Sequence, residues 1–415
     1  GIVVEAYSQG NVDELNIKVL DALNHKIGAD KAPDIFASYV DTAYAINAMG
    51  MVADLNEYLT EEERDEYIPA YIYEGQFDEN NSLKLFPIAK ATEVMMLNKT
   101  DWDKFAAATG ASKDSLSTWE GIADTAKRYY EWTDSLTPEP DDGKPFFGRD
   151  AMANYMIVGC YQLGRELFQT ENGKVTVNLD KSVIRRLWDN YYVPYVSGHY
   201  AAIGRFRSDD VKTGDIIAFV GSTSGASFFP SEITLPDGNT YPIEAEVLPL
   251  PNFEDTNPVA VQQGAGMVVT KSTRQKEYAA VTFLKWFTDA EQNLDFTINT
   301  AYLPVKKESN NIEILEKAIS ESLVPVNDVV QEVFHVGIEM TQNYMLYTSK
   351  PFNNSVYARQ ILENALQSKA DSDLAAINAL INAGLSRKEA IARFTTDENF
   401  NKWYEEFAAA LKEIE

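Results

Sequence analysis

The densest run of small polar side chains is Gly221-Ser222-Thr223-Ser224-Gly225, which follows the apolar run Asp215 to Val220. Hydroxyls and exposed amides at the end of a buried strand form a donor-rich lip suited to polar ligands. The order also resembles the G-x-S-x-G elbow of hydrolases, but Thr223 stands at the nucleophile position, which argues against that chemistry. His25, His199 and His335 are scattered and form no H-E-x-x-H pattern; His335 and Glu339 sit one helical turn apart as an isolated pair. Gly264-Ala265-Gly266 starts a dinucleotide-type turn, yet Val269 takes the third glycine position. Gly143 to Arg149 and Gly159 to Arg165 approach phosphate-loop spacing with Arg in place of Lys and no following Ser or Thr. The acidic pairs Asp141-Asp142, Asp209-Asp210 and Glu405-Glu406 read as solvated charge. A glycosidase needs two carboxyls at a fixed spacing across a cleft, and no pair is marked out by its surroundings.

The composition narrows the choice of partners. The chain has 415 residues with 36 Lys plus Arg against 63 Asp plus Glu, a net charge of −27. That field repels nucleic acid and anionic lipid surfaces. No run of about 18 apolar residues interrupts the charges, so no membrane span is expected. Cys160 is the single cysteine, which excludes an intrachain disulfide and a four-thiolate metal site. At roughly 150 residues per domain, two large or three ordinary domains are expected.

The elements that must position these residues alternate in type. Ile2 to Tyr7 reads as a strand, Val12 to Leu23 as a helix with Leu15, Val19 and Leu23 on one face, and Pro33 to Ala37 as a buried strand. Thr60 to Glu63 opens a helix as a capping box, and Leu83 to Pro87 and Val94 to Leu97 are short strands. Ser117 to Glu120 is a second capping box, with a helix to about Trp132. The turn Glu171-Asn172-Gly173 precedes a strand at Val175 to Val177. Ile243 to Pro251 and Gly266 to Thr270 are strands. A helix from Ser272 follows with Ala280, Phe283, Leu284 and Phe287 inward. The last ~80 residues are helical, with boxes at Ser386 to Glu389 and Thr395 to Glu398. The alternation predicts an α/β protein with a parallel or mixed sheet. All six tryptophans fall in helical patterns, where core packing is the default.

Five stretches together resemble the extracellular solute-binding proteins of ABC importers, in the large sugar-binding group that includes the maltose-binding and glycerol-3-phosphate-binding proteins. Pro33-Asp34-Ile35 through Gly50 to Asp54-Leu55 is similar to that family's P-D-I/V start, and Phe86-Pro87-Ile88 through Leu97-Asn98-Lys99 to its crossing into the second lobe. Ser117-Thr118-Trp119-Glu120 resembles its T-W-(D/E) helix start without the usual proline. Thr213-Gly214-Asp215 through Gly221-Ser222, and Ala301-Tyr302-Leu303-Pro304-Val305, match two further runs, with Ala301 replacing the usual glycine.

The resemblance implies a two-lobed periplasmic-binding-protein-like fold of type II that closes on a ligand about a hinge. It implies a first lobe of residues 1–92 plus 260–305 and a second of 93–259 plus 306–415. Family members begin with a lipobox cysteine or signal, a strand and a helix, so an N-terminal strand and helix are expected to be missing here, and with them a lipid anchor on an exported protein. The implied function is carbohydrate binding and delivery to ABC permease subunits by a non-catalytic monomer, with no cofactor, no metal and no nucleic acid partner. A glycerophosphoryl or other anionic polyol is the second ligand class, motivated by Lys90 and Arg359; a secreted glycoside hydrolase is the alternative of another class.

Motif placement nominates the cleft. Tyr39 and Asp41 are expected in the loop after the Pro33-Asp34 strand, with Asp41 either accepting sugar hydroxyls or capping the helix at Thr42. Lys90 and Thr92 lie on the first crossing loop, Lys90 facing an anionic ligand or solvent. Ser222, Thr223 and Ser224 form the lip. Gln263 lies on the returning strand and Tyr302 beside another crossing. Asn353 and Arg359 fall at a loop-to-helix start, where the Asn353 amide both donates and accepts. Ala91 stands where the maltose binder has a glutamate, so its maltodextrin contacts do not transfer.

Overall fold

In a computed structural model describing residues 1–171 and 173–415, the first regular element is the helix Val12–Leu23. Asn11 accepts from the Glu14 backbone N–H at 2.9 Å, and the Glu14 carboxylate accepts from the Asn11 N–H at 2.9 Å. This box satisfies two of the helix's first amides. The strand expected over Ile2 to Tyr7 does not form: the segment is exposed and pairs with no described strand. A β-branched run is stable as a strand only with an edge to bond and a face to bury.

Two sheets carry the fold. In the first, Gly266–Val269 lies between Ile35–Ser38 and Phe86–Pro87, antiparallel to both, with Ile35 opposite Val269 and Phe86 opposite Met267. In the second the order is Ala245–Pro249, Glu93–Asn98, Ala218–Ser222, Phe147–Arg149. Only the last pair is parallel. The first sheet is antiparallel and the second mixed, its parallel pair joined through helices, and the chain passes between the two sheets after Phe86–Pro87 and again before Gly266–Val269. Glu93–Asn98 is buried at every position, as a strand between two neighbours should be.

Several boundaries move for local reasons. The strand expected from Asp215 starts at Ala218 and runs through Ser222. Of Leu83 to Pro87 only Phe86–Pro87 joins a sheet. The boxes at Thr60 and Ser386 are present. At the other two sites the second hydroxyl is the cap: Thr118 Oγ1 accepts from Gly121 N at 3.1 Å and Thr396 Oγ1 from Asn399 N at 3.1 Å. Ser117 is already used in the 3₁₀ turn Lys113–Ser117, and Gly121 has no side chain to return the bond. The turn expected at 171–173 includes Asn172, which lies outside the described residues; its flanking strands pair Glu171 with Lys174.

The core divides into three clusters. Two smaller ones draw on residues up to Ala89 and on the segment from Val268 to Val305. The large one draws on Val94 to Val261, on Leu294 to Leu303 and on the C-terminal helices, including Ser355–Asn382 and Asp397–Lys412. Trp102, Trp119, Trp188 and Trp403 are buried there and Trp132 packs against it. Trp286 is the exception, 52% exposed, because Ala280, Val281 and Leu284 form the inward stripe of its helix while Phe283 and Phe287 are only partly covered.

Candidate functional site

Three chain passages meet where the two sheets join. Ala91 N–H donates to Gln263 O at 2.9 Å and Gln263 N–H to Ala91 O at 3.0 Å. Lys90 N–H donates to Leu303 O at 3.2 Å, and Leu303 N–H returns a bond to Lys90 O at 2.6 Å. Gly264 sits in this crossing with φ +105°, and a Cβ there would lie 2.9 Å from Ala89 O and 3.2 Å from Lys90 Cα. Only glycine fits both the backbone angle and the close approach.

Lys90 corrects its expected role. It is fully buried, its ammonium pairs with Glu74, and it donates to Gly264 O at 3.1 Å. Glu74 is itself only 6% exposed, so the pair is internal to the crossing and the cation is neither solvated nor free for an anionic ligand. Thr92 is also consumed internally: its hydroxyl donates to Val261 O at 2.7 Å. Thr223 is fully buried, donating its N–H to Thr92 O at 2.9 Å and accepting from Thr92 N at Oγ1 at 3.3 Å. Its side chain therefore fastens the lip to the crossing. Ser222 and Ser224, partly exposed with hydroxyls 2.9 Å apart, form the accessible part of the lip.

Behind the lip runs a polar chain. Asn154 is 2% exposed and its Nδ2 donates to Glu93 Oε1 and to Gln263 Oε1, both at 3.0 Å. Its Oδ1 accepts from an Arg359 guanidinium nitrogen at 3.0 Å. Glu93 in turn accepts from Arg149 at 2.6 Å, and both are buried. Arg149 lies over the Trp119 and Tyr155 rings at 5.5 and 5.4 Å. The Asn154 amide thus ties Gln263 on the crossing to Arg359 on the C-terminal helix, with the buried Glu93–Arg149 ion pair joined to it. Asp150 adjoins Gly221, where an added Cβ would stand 3.1 Å from Asp150 Oδ2. Burial raises the Asp150 carboxyl, opposed by the Arg207 N–H bond and the Arg207 charge.

On the opposite wall, the helix Val40–Ala48 lies against Ser355–Asn382. Tyr39 is the N-cap residue of the first, 47% exposed. Its phenol is raised first by its crowded surroundings and then by Tyr302, and lowered by the Arg359 charge, so both lie within electrostatic reach of Tyr39. Asp41 is not in a loop and does not cap: it is in the helix's first turn, and the N-cap makes no side-chain bond. Asn353 is exposed beside Asn354, whose left-handed φ of 67° starts the facing helix. Neither Asp41 nor Asn353 makes a side-chain hydrogen bond among the described residues.

The nominated residues therefore separate into Tyr39 with Tyr302 and Arg359 within electrostatic reach of it, a crossing group of Thr92, Thr223 and Gln263, and the Ser222–Ser224 lip. Asp41 and Asn353 lie at the ends of facing helices, and Lys90 turns inward. Glu93, Arg149, Asp150 and Asn154 were not nominated. The one available signal was Arg149, seen only as the wrong end of a phosphate loop. Nothing in sequence spacing announces that residue 93 reaches 149 and 154.

The same architecture recurs in solved structures. UgpB of Mycobacterium tuberculosis, solved with glycerophosphocholine, superposes with a TM-score of 0.67 at 16% identity, covering 98% of this chain and 89% of that one. The cyclic α-maltosyl-1,6-maltose binding protein of Arthrobacter globiformis gives 0.64 at 17% identity, covering 96% and 89%. The GacH receptor of Streptomyces glaucescens, solved unliganded and with acarbose, gives 0.62 at 14% identity, covering 97% and 89%. These proteins share the two-lobed periplasmic binding fold. No curated protein matches the sequence. Residues 1–321 match the family of bacterial extracellular solute-binding proteins. With over three quarters of its length so matched, the chain belongs to that family.

Proposed function

We propose that this protein binds a carbohydrate between its lobes and hands it to an ABC-type permease at the outer face of the cell membrane, without catalysing a reaction. The observation that carries the reading is the Arg359 guanidinium held by Asn154 at 3.0 Å, with Tyr39 within reach of its charge and of Tyr302. Tyrosine faces suit the apolar faces of sugar rings, and a fixed guanidinium with neighbouring hydroxyls suits sugar oxygens. The Arthrobacter globiformis relative is named for an oligosaccharide and the Streptomyces glaucescens one is solved with acarbose, which supports the class. Tyr39, Asp41, Ser222, Ser224, Gln263, Tyr302, Asn353 and Arg359 are the proposed contacts; Thr92 and Thr223 support them. The lobes are proposed as 1–92 with 260–305 and 93–259 with 306–415. The three hydrophobic clusters support this division, with Leu294 to Leu303 contributing to the large core as well. The protein acts as a monomer tethered by a lipid, as the family resemblance suggests.

A glycerophosphoryl ligand is the weaker reading, since Lys90, its main cation, is already neutralised by Glu74. A thermal-shift screen separates the two. Stabilisation by one or more mono- or oligosaccharides and none by glycerophosphocholine is expected; the reverse pattern overturns the carbohydrate reading.

A further inference from the structure

The sheet that holds Glu93–Asn98 contains one parallel pair, Phe147–Arg149 beside Ala218–Ser222, so these two strands end on the same edge. Ligands of open α/β sheets collect outside the carboxyl ends of such strands. Ser222 closes one of the two and begins the accessible lip. Asp150 directly follows the other. Arg149 lies opposite Val220, so Asp150 stands level with Gly221, one residue before the lip.

Asp150 is held at every polar atom but one. Its N–H donates to Val220 O at 3.0 Å. Its carbonyl accepts at 3.0 Å from Nε of Arg149, the same guanidinium that pairs with Glu93. Its Oδ1 accepts from the Arg207 N–H at 3.2 Å. The Arg207 guanidinium is spent on Asp210 and on the Gly204 carbonyl, and it approaches Asp150 only at Oδ1, at 3.5 Å. Oδ2 has no hydrogen-bond partner among the described residues. It is not among the sealed, unpaired polar atoms, and the side chain is 29% exposed, so solvent reaches it. Gly221 leaves that oxygen room against the strand, where a methyl group would crowd it.

A carboxylate oxygen accepts and cannot donate, so its partner must bring a proton. Bonds to an ionised acceptor are the strong ones, and an acceptor fixed beforehand costs little ordering when a ligand arrives. An anionic oxygen set at the same place finds an unpaired like charge, which is how a site rejects a competitor. We propose that Asp150 is a specificity-determining contact of the cleft, taking a ligand hydroxyl on Oδ2 and refusing an anionic oxygen there. The assignment rests on the reading of the cleft as the binding site, and it adds to the serine lip the one charged acceptor on that edge of the sheet.

The test is isothermal titration calorimetry of the wild type and Asp150→Asn with maltose, cellobiose, xylobiose and glycerophosphocholine in turn, with the melting temperature of each protein recorded. The Arg207 N–H needs an acceptor, so the asparagine keeps its oxygen on that side and presents its NH₂ where Oδ2 was, turning the acceptor into a donor at nearly constant shape. The expected result is melting close to the wild type and a loss of about tenfold or more in affinity for every probe the wild type binds. Should Asp150→Asn unfold, Gly221→Ala takes its place, since its methyl group would stand 3.1 Å from Oδ2 and cover it while the carboxylate stays; the same loss is expected. If glycerophosphocholine alone binds and is weakened in this way, through its glycerol hydroxyls, the carbohydrate reading falls and the assignment of Asp150 stands. A loss below about tenfold for the bound probe, or no binding of any of the four, overturns the assignment.

Discussion

Replacing Asn154 by leucine tests the polar chain at its centre. Three bonds are lost at once: to Glu93 Oε1, to Gln263 Oε1 and from Arg359, each at 3.0 Å. Leucine keeps the branched shape but is bulkier, so some overpacking adds to a loss that is mainly polar. The bond to the buried Glu93 carboxylate is charge-assisted, about 1.5–3 kcal/mol, and the other two, partly exposed at their far ends, add about 0.5–1.5 kcal/mol each. The expected destabilisation is about 2.5–6 kcal/mol by urea unfolding, with sugar affinity falling at the same time because Arg359 loses its anchor. Asn154→Asp is the companion. It keeps the Arg359 bond but sets a carboxylate against Glu93, so its loss should be larger at pH 8 than at pH 5, where the new group protonates and donates again. A loss below about 1 kcal/mol for Asn154→Leu, or a pH-independent Asn154→Asp, would refute the claim that this chain holds the site together.

Three further outcomes are expected. Lys90→Met strands the buried Glu74 carboxylate and should cost about 3–5 kcal/mol, most of it recovered in Lys90→Met/Glu74→Leu, as read from unfolding midpoints. Gly264→Ala should destabilise by about 1–3 kcal/mol, because φ +105° and the contact at 2.9 Å with Ala89 O both reject a side chain; differential scanning calorimetry reads it. His199 is held neutral mainly by burial, down to about 4 from its ordinary 6.5. Between those values the unfolded chain binds the extra proton, so stability falls as pH drops from about 7 to 4 by up to about 3 kcal/mol, with no further contribution below. The variant His199→Gln should flatten that limb of the stability profile.

Much of the molecule was legible in the chain. Local signals such as the Thr60 and Ser386 boxes and the Val12–Leu23 face act over one or two turns, and they held because neighbouring residues decide them. The five motifs, in order, pointed to the family because their spacing reflects a repeated path between two lobes. The net charge of −27 makes nucleic acid a poor partner on physical grounds that folding does not alter. What folding alone decided was which polar groups spend their bonds inside. Lys90 and Thr92 have the side chains of ligand contacts, yet Glu74 and the Val261 carbonyl reach them first. Glu93 lies in an apolar strand and Asn154 in an apolar helix, where neither draws notice until the sheet brings Arg149 and Arg359 to them. Ile2 to Tyr7 has strand propensity without an edge to pair with, and Trp286 has a helical position without a core in front of it. Propensity and pattern are properties of adjacent residues, whereas burial and pairing depend on residues tens to hundreds of positions away.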